Sequence, residues 1–396
     1  MKLLPVDEAR ARMLAEIAPL PTETTPLRES IGRVLAEDVS AARHQPPFDA
    51  SAMDGWALRS ADAPGRLRIV GESAAGHGYE GKMGPGQAVR IFTGAAVPHG
   101  ADTIVIQEDA QREGEHVVVP ASARGANVRP AGGDFQAGQT LLSAGTRIDP
   151  WRLSLAASAG RGDLVVRRRP KVVLVSTGEE IVEPPVAPGP YQIYDSGAPA
   201  LAAMVTGWGG LAAKLKPVRD ELEAVIEALR GADADLIVTV GGASVGDHDL
   251  VRAAAEALGL SLKVASVNVR PGKPTFFGVL GDGRKLLGLP GNPASAFVCA
   301  ELFLRPIVSK LQGSAENLPI VQAKTAVPMA ANGPREHWMR AKLTHADGML
   351  VAEPYRDQDS SLVTVFAAAD ALLRRPAGAP ALEAGGFVEA LPLPRA

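Results

Sequence analysis

A single cysteine in 396 residues excludes any disulfide within the chain. That residue, Cys299, lies in the apolar run "ASAFVCAELFL", where a buried helix face explains it better than a reactive thiol, and the economy of cysteine suits a reducing cytosol. No stretch reaches the ~18 uninterrupted apolar residues needed to span a bilayer. The opening "MKLLPVDEARARMLAEIAPL" has no apolar signal core and alternates charge with hydrophobe, so it predicts an amphipathic helix. Seven scattered histidines form no H-E-x-x-H pair, which argues against a zinc site. The net charge of −3 provides no broad basic field for nucleic acid or an anionic membrane. Any bound anion must therefore be held by local groups.

What the chain does have is length, turns and apolar segments. Hydrophobic residues make up 46%, with 42 glycines and 32 prolines, a composition that fits a folded, loop-rich protein of several domains. Between about residues 65 and 140, the runs "RLRIVGES", "GQAVRIFTG", "DTIVIQED" and "EHVVVPAS" alternate with Gly and Pro and read as a small β domain. Helical signals on either side, including "DPWRLSLAASAG", make that domain an insertion in a discontinuous helical framework. From about 170 to 311, buried apolar strands alternate with amphipathic helices, which predicts a parallel sheet covered on both faces. A β-rich segment ends the chain. The expected divisions are 1–43 with 141–168, then 44–140, 169–312 and 313–396.

Ligands of such sheets bind beyond the carboxyl ends of the strands, so the loops there are read first. "VVLVSTGEEI" follows its strand with Ser176-Thr177-Gly178 and the acids Glu179 and Glu180. "LIVTVGGASVGDHDL" offers Gly241, Gly242 and Ser244 as a phosphate cradle, then Asp247 and Asp249 at a helix start. A carboxylate beside a phosphate cradle calls for a cation, and Mg²⁺ bridging Asp249 to a phosphate oxygen answers that need; Asp247 as a plain N-cap is the alternative. "LGLPGNPASAF" sets Asn292 as an N-cap and leaves the Ser295 hydroxyl near the helix start. "VNVRPGKPTFFG" presents Arg270 and Lys273 from a proline-stiffened loop suited to an oxyanion. In "QPPFDASAMDGWAL", Asp54 stands at a D-G turn, where an isolated acid is ordinarily just solvated. Thr93 after a strand, Asp134 in a glycine-rich turn behind Arg129, and Arg335, Arg340 and the pair Ser360-Ser361 in the C-terminal segment are weak signals singly.

Taken in order, "PPFDASAMDGWAL", "RIFTGAAVPHGAD", "STGEEI", "TVGGASVGDHD", "VRPGKPTFFG" and "LPGNPASAF" closely resemble the MoeA family of molybdopterin molybdenumtransferases, which includes the gephyrin E domain. The resemblance implies a multidomain α/β plus β protein: a discontinuous helical segment, an inserted β domain, a central three-layer MogA-like α/β domain, and a C-terminal β-barrel-like domain. It also implies a cytoplasmic homodimer with an active cleft shared between subunits, and Mg²⁺-dependent insertion of molybdate into adenylylated molybdopterin with release of AMP. The adenylylated substrate would come from an upstream adenylyltransferase. Motif by motif, Asp54, Asp134, Glu180, Asp249 and Lys273 become catalytic candidates, with Asp249 and Glu180 as metal ligands. Thr93, Gly241, Gly242, Ser244, Pro274, Asn292, Ser295, Arg335, Arg340 and Ser360 become substrate-binding candidates. In the implied chemistry Mg²⁺ and Lys273 withdraw charge from the phosphoanhydride, and either a molybdate oxygen or water attacks phosphorus.

The chain departs from the family pattern at Gly133, where an acid is usual, at Gly197, where asparagine is usual, and at Trp56, where tyrosine is common. Two rival readings share the architecture. One is a non-catalytic scaffold, since gephyrin clusters membrane receptors with this fold. The other is a paralogue that works on tungstate or at the adenylylation step.

Overall fold

The computed structural model describes residues 3–241, 250–314 and 317–393. At its centre is a six-stranded sheet in the order Leu211–Lys214, Lys171–Ser176, Leu236–Val240, Lys285–Leu289, Phe276–Val279, Ser261–Val264. Its four inner strands are mostly apolar because both faces are covered there, whereas the edge strands Leu211–Lys214 and Ser261–Val264 are partly exposed. Val172 and Leu174 point into one core, with the helices Gly197–Gly207 and Pro293–Cys299, while Val173 and Val175 point into the other, with Leu222–Gly231 and Leu250–Ala257. This is the period-two alternation of a strand serving two layers.

The sheet is not wholly parallel, as the alternating pattern had predicted. The first four strands in that order are parallel, but Phe276–Val279 runs antiparallel to both of its neighbours. The reason is local: a tight turn around Asp282 and Gly283 joins Phe276–Val279 to Lys285–Leu289, and a parallel partner needs a crossover of a dozen residues or more.

The inserted region forms a second six-stranded sheet, Thr103–Ile106, Gly55–Leu58, Gln87–Ile91, Gly65–Ser73, His116–Val119, Gln111–Glu113. Trp56 is buried in its core, with the Arg90 guanidinium 5.3 Å from the ring centroid. The segments around this insertion pack on each other chiefly through strand pairs. Thr22–Pro26 pairs with Asp163–Arg167, Val39–Ser40 pairs with Thr140–Leu142, and Leu35, Ile148, Ala156 and Val166 fill the core between them. The helix Pro150–Ser158 is capped by Asp149, whose carboxylate accepts from Arg152 N at 2.7 Å. The N-terminal helix Val6–Ala15 lies elsewhere. Its buried face, Val6, Ala9 and Met13, belongs to the core of the central sheet, so in packing it departs from the 1–43 grouping.

The C-terminal strands Glu336–Ala346, Met349–Pro354, Val321–Thr325, Phe387–Pro392 and Ala371–Arg375 close on themselves as a barrel. Alanines dominate its interior (Ala323, Ala341, Ala352, Ala371, Ala390), as a narrow closed barrel demands. One short strand of the central region, Val269–Arg270, joins this barrel in parallel with Glu336–His337. That pairing brings the Arg270–Pro274 loop against the barrel.

Candidate functional site

Three strand ends of the central sheet converge beyond its carboxyl edge. Thr177 N donates to Val240 O at 3.1 Å, and Gly241 N donates to Leu289 O at 3.3 Å. Gly241 has φ +92°, and a Cβ there would lie 2.8 Å from Thr177 O, so only glycine fits. Gly291 is equally close, its would-be Cβ 3.3 Å from the Gly241 Cα. The result is a backbone-walled crevice. Thr177 contributes a buried hydroxyl with no hydrogen-bond partner among the described residues. Glu180, three residues beyond Thr177, is exposed; its carboxylate lies over Gly178 and has no hydrogen-bond or ion-pair partner among the described residues. Gly242, Ser244 and Asp249, the rest of the predicted cradle, lie outside the described residues.

The stiff loop Arg270–Pro274 is built on the buried helix beneath it. Gly272 has φ +117°, and a Cβ there would sit 2.1 Å from Cys299 Sγ. Thr275 Oγ1 donates to the same sulfur at 3.1 Å, and burial pushes the thiol up to about 12, which leaves it an inert floor. The loop is thereby held where its cations face the barrel.

Between loop and barrel lies a cavity of about 630 Å³ lined by Arg270, Lys273, Pro274, Ser295, Arg335 and Ser360, together with His337 and the acids Asp357 and Asp359. The predicted residues Lys273, Pro274, Ser295, Arg335 and Ser360 thus come together, although they derive from two domains. Sequence reasoning missed Arg356, His337, Asp357, Gln358 and Asp359, whose position depends on how the barrel closes. The Arg270, Lys273, Arg335 and Arg356 side chains have no ion-pair or hydrogen-bond partner among the described residues. Asp359 is otherwise engaged, since Ser361 N and Oγ donate to its carboxylate and hold it below the usual range. Even with both acids charged, four cations, Arg270, Lys273, Arg335 and Arg356, face two carboxylates, so positive charge prevails.

Asn292 precedes the helix Pro293–Cys299, but its side chain makes no cap bond. Instead Asn292 Nδ2 donates to Ser360 Oγ at 2.8 Å, and Ser360 O accepts from Ala294 N at 3.1 Å. A loop of the barrel thus closes the helix start. Arg340 is fully buried behind the cavity and does not line it. Its Nη2 donates to Asp359 O at 2.9 Å, and its backbone N donates to Gln358 Oε1 at 2.9 Å, so it holds the loop that carries Ser360.

Asp54, Thr93 and Asp134 are not among the cavity residues. Asp54 Oδ1 accepts from Thr93 N at 2.8 Å and Thr93 Oγ1 at 2.7 Å. These two bonds, with a smaller contribution from Arg90, hold its carboxyl below the usual aspartate range. Asp49 Oδ1 accepts from Ala131 N at 2.8 Å, and Gln45 O accepts from Asp134 N at 2.9 Å, so the Asp54 loop and the Asp134 turn are fastened side by side. The carboxylate of Asp134 is exposed and unpartnered among the described residues.

Comparison with known proteins agrees along the whole chain. Residues 4–160 match the MoeA N-terminal region (domain I and II), 173–310 a probable molybdopterin binding domain, and 322–393 the MoeA C-terminal region (domain IV). A molybdopterin molybdenumtransferase of Bacillus subtilis (strain 168) is 35% identical, covering 98% of this chain and 94% of its own. One from Nostoc sp. is also 35% identical, covering 94% of this chain and 89% of its own. The crystal structure of a molybdopterin biosynthesis MoeA protein from Pyrococcus horikosii superposes with a TM-score of 0.85 at 29% identity, covering 100% of both chains. The central crevice, the closed C-terminal barrel and the near-full-length identity together make the chain a member of the MoeA family of molybdopterin molybdenumtransferases.

Proposed function

We propose that the protein inserts molybdate into adenylylated molybdopterin and releases AMP, giving molybdenum cofactor. The observation that carries this reading is the cavity of unpaired cations, Arg270, Lys273, Arg335 and Arg356, at the seam between the α/β domain and the barrel. Molybdate is a small tetrahedral dianion, and fixed guanidinium and ammonium groups with the hydroxyls of Ser295 and Ser360 match its charge and its oxygens. The crevice of Thr177, Gly241 and Gly291 supplies the backbone surface on which the phosphate-bearing substrate would lie. In this reading, Lys273 also neutralises charge developing on the phosphoanhydride.

Among the described residues no group of three His, Cys, Asp or Glu side chains is placed to hold a metal. Mg²⁺, however, usually takes one or two carboxylates and fills the rest of its shell with water and substrate phosphate, and the unpartnered Glu180 suits that role. Glu180 and Asp249 would hold it, and it would supply charge neutralisation at the phosphates. Asp54 and Asp134 serve a cleft completed by a second copy of the chain in a homodimer. We place this enzyme in the cytoplasm, downstream of the adenylyltransferase that makes its substrate. No helix among the described residues is long and apolar enough to cross a membrane.

The test is reconstitution with adenylylated molybdopterin and either molybdate or tungstate, measuring AMP and active cofactor. AMP release that depends on molybdate supports the reading. Failure with both oxyanions would sink it, and a preference for tungstate would redirect it. Asp249→Ala with an unchanged Mg²⁺ dependence would remove the metal assignment, and Lys273→Ala with an unchanged molybdate dependence would remove the anion-site assignment.

A further inference from the structure

His337 lies in the wall of the cationic cavity, and its side chain has no hydrogen-bond partner among the described residues. It sits on the strand Glu336–Ala346, where Trp338 and Arg340 are fully buried and His337 and Met339 face the other way. Its cross-strand neighbours are arginines on both sides, Arg270 on one strand and Arg375 on the other. His337 also lines a second cavity of about 480 Å³, which shares Arg270, His337 and Arg356 with the first. The residue therefore borders two spaces that have Arg270 and Arg356 in common. Burial, with Arg270, Arg340 and Arg335 nearby, pushes the imidazole down to about 4, so at neutral pH it carries one proton.

The surroundings decide which nitrogen carries that proton. Nε2 is buried with no partner among the described residues. Nδ1 has no hydrogen-bond partner among the described residues either, but it is not one of the buried atoms, and the spaces that His337 borders are these two cavities. A buried N–H without an acceptor costs more than a buried lone pair without a donor, so the proton belongs on Nδ1. A residue only 7% exposed thus keeps one polar atom accessible, a neutral donor, at the border of the cationic cavity, which also holds the hydroxyls of Ser295 and Ser360.

We propose that His337 is a substrate-contacting residue of the oxyanion cavity, offering Nδ1–H to an oxygen of the bound tetrahedral anion. This rests on the reading that the cavity takes molybdate. It adds a donor that carries no charge, whose contribution depends on direction and so responds to the shape of the anion more than to its charge.

The experiment is molybdate titration by calorimetry on the full chain, comparing His337→Asn, His337→Gln and His337→Phe. The Asn amide nitrogen can stand where Nδ1 stands, whereas the Gln amide nitrogen stands where Nε2 does. Asn is therefore expected to bind within a few-fold of the wild type, and Gln and Phe at least about tenfold more weakly. If Phe fails to fold, the split between Asn and Gln still decides. Nitrogen-15 spectra of the histidine ring give a second readout, expected to show the proton on Nδ1. Equal binding by Asn and Gln, wild-type binding by Phe, or a proton on Nε2 would overturn the assignment. If the wild type binds molybdate and releases AMP while the variants do not separate, this inference fails alone; if the wild type binds no molybdate, the functional reading falls with it.

Discussion

Lowering the pH from about 7.5 to about 5 should destabilise the ligand-free protein through His337, by an amount that its surroundings set. In the folded chain the ring is held near 4 instead of 6.5, because it is buried and has Arg270, Arg340 and Arg335 nearby. The unfolded chain binds the proton first as pH falls, so this share of stability is complete above 6.5 and is lost as pH drops toward 4. At about pH 5 the unfolded ring is almost fully protonated and the folded ring is almost entirely neutral, a difference of about 2 kcal/mol. Urea unfolding of the wild type and His337→Asn at both pH values isolates the effect, since all other titrating groups are shared. The wild type should lose about 2 kcal/mol more than the variant, seen as a larger fall in the midpoint with an unchanged slope. Parallel losses in the two proteins would refute the claim that the folded site excludes the proton.

Thr93→Val removes one of two bonds to Asp54 and spares the backbone one; the Asp54 carboxyl should titrate at higher pH by NMR, with slower AMP release and an unchanged fold. Ser360→Ala deletes the acceptor for Asn292 but keeps the carbonyl on Ala294 N, so denaturation should show a loss of about 1 kcal/mol and calorimetry a weaker molybdate affinity. Gly272→Ala forces a Cβ against the Cys299 sulfur at a positive φ and should cost several kcal/mol, visible as a large drop in melting temperature; adding Cys299→Ala should recover part of it.

Much of this was legible in the sequence because the signals are local. Buried β-branched runs marked the central strands, and Gly-Pro punctuation marked the loops Thr177–Glu180, Arg270–Pro274 and Pro290–Ser295. What escaped depends on long-range pairing. The two-residue strand Val269–Arg270 carries no period, yet its pairing with Glu336–His337 is what joins the stiff loop to the barrel. The antiparallel direction of Phe276–Val279 depends on a turn length, and an apolar strand reads the same in either direction. Arg340 was a candidate for holding the substrate and is a buried brace behind the cavity, because the strand's inward face becomes known only once the barrel closes. The N-terminal helix was legible as amphipathic, but nothing local said which core its apolar face would join.

The contact of Ser360 with Asn292 and Ala294 has a thermodynamic corollary. Because the anion cavity is made of groups from both the α/β domain and the barrel, an occupant touches both halves and must strengthen their association by its own binding free energy. If the cavity takes molybdate as proposed, the substrate acts as a fastener: at a hundred times its dissociation constant the docked arrangement gains about 2.7 kcal/mol, and the two halves should melt closer together. A weak seam in the resting protein would make anion capture and domain closure a single event.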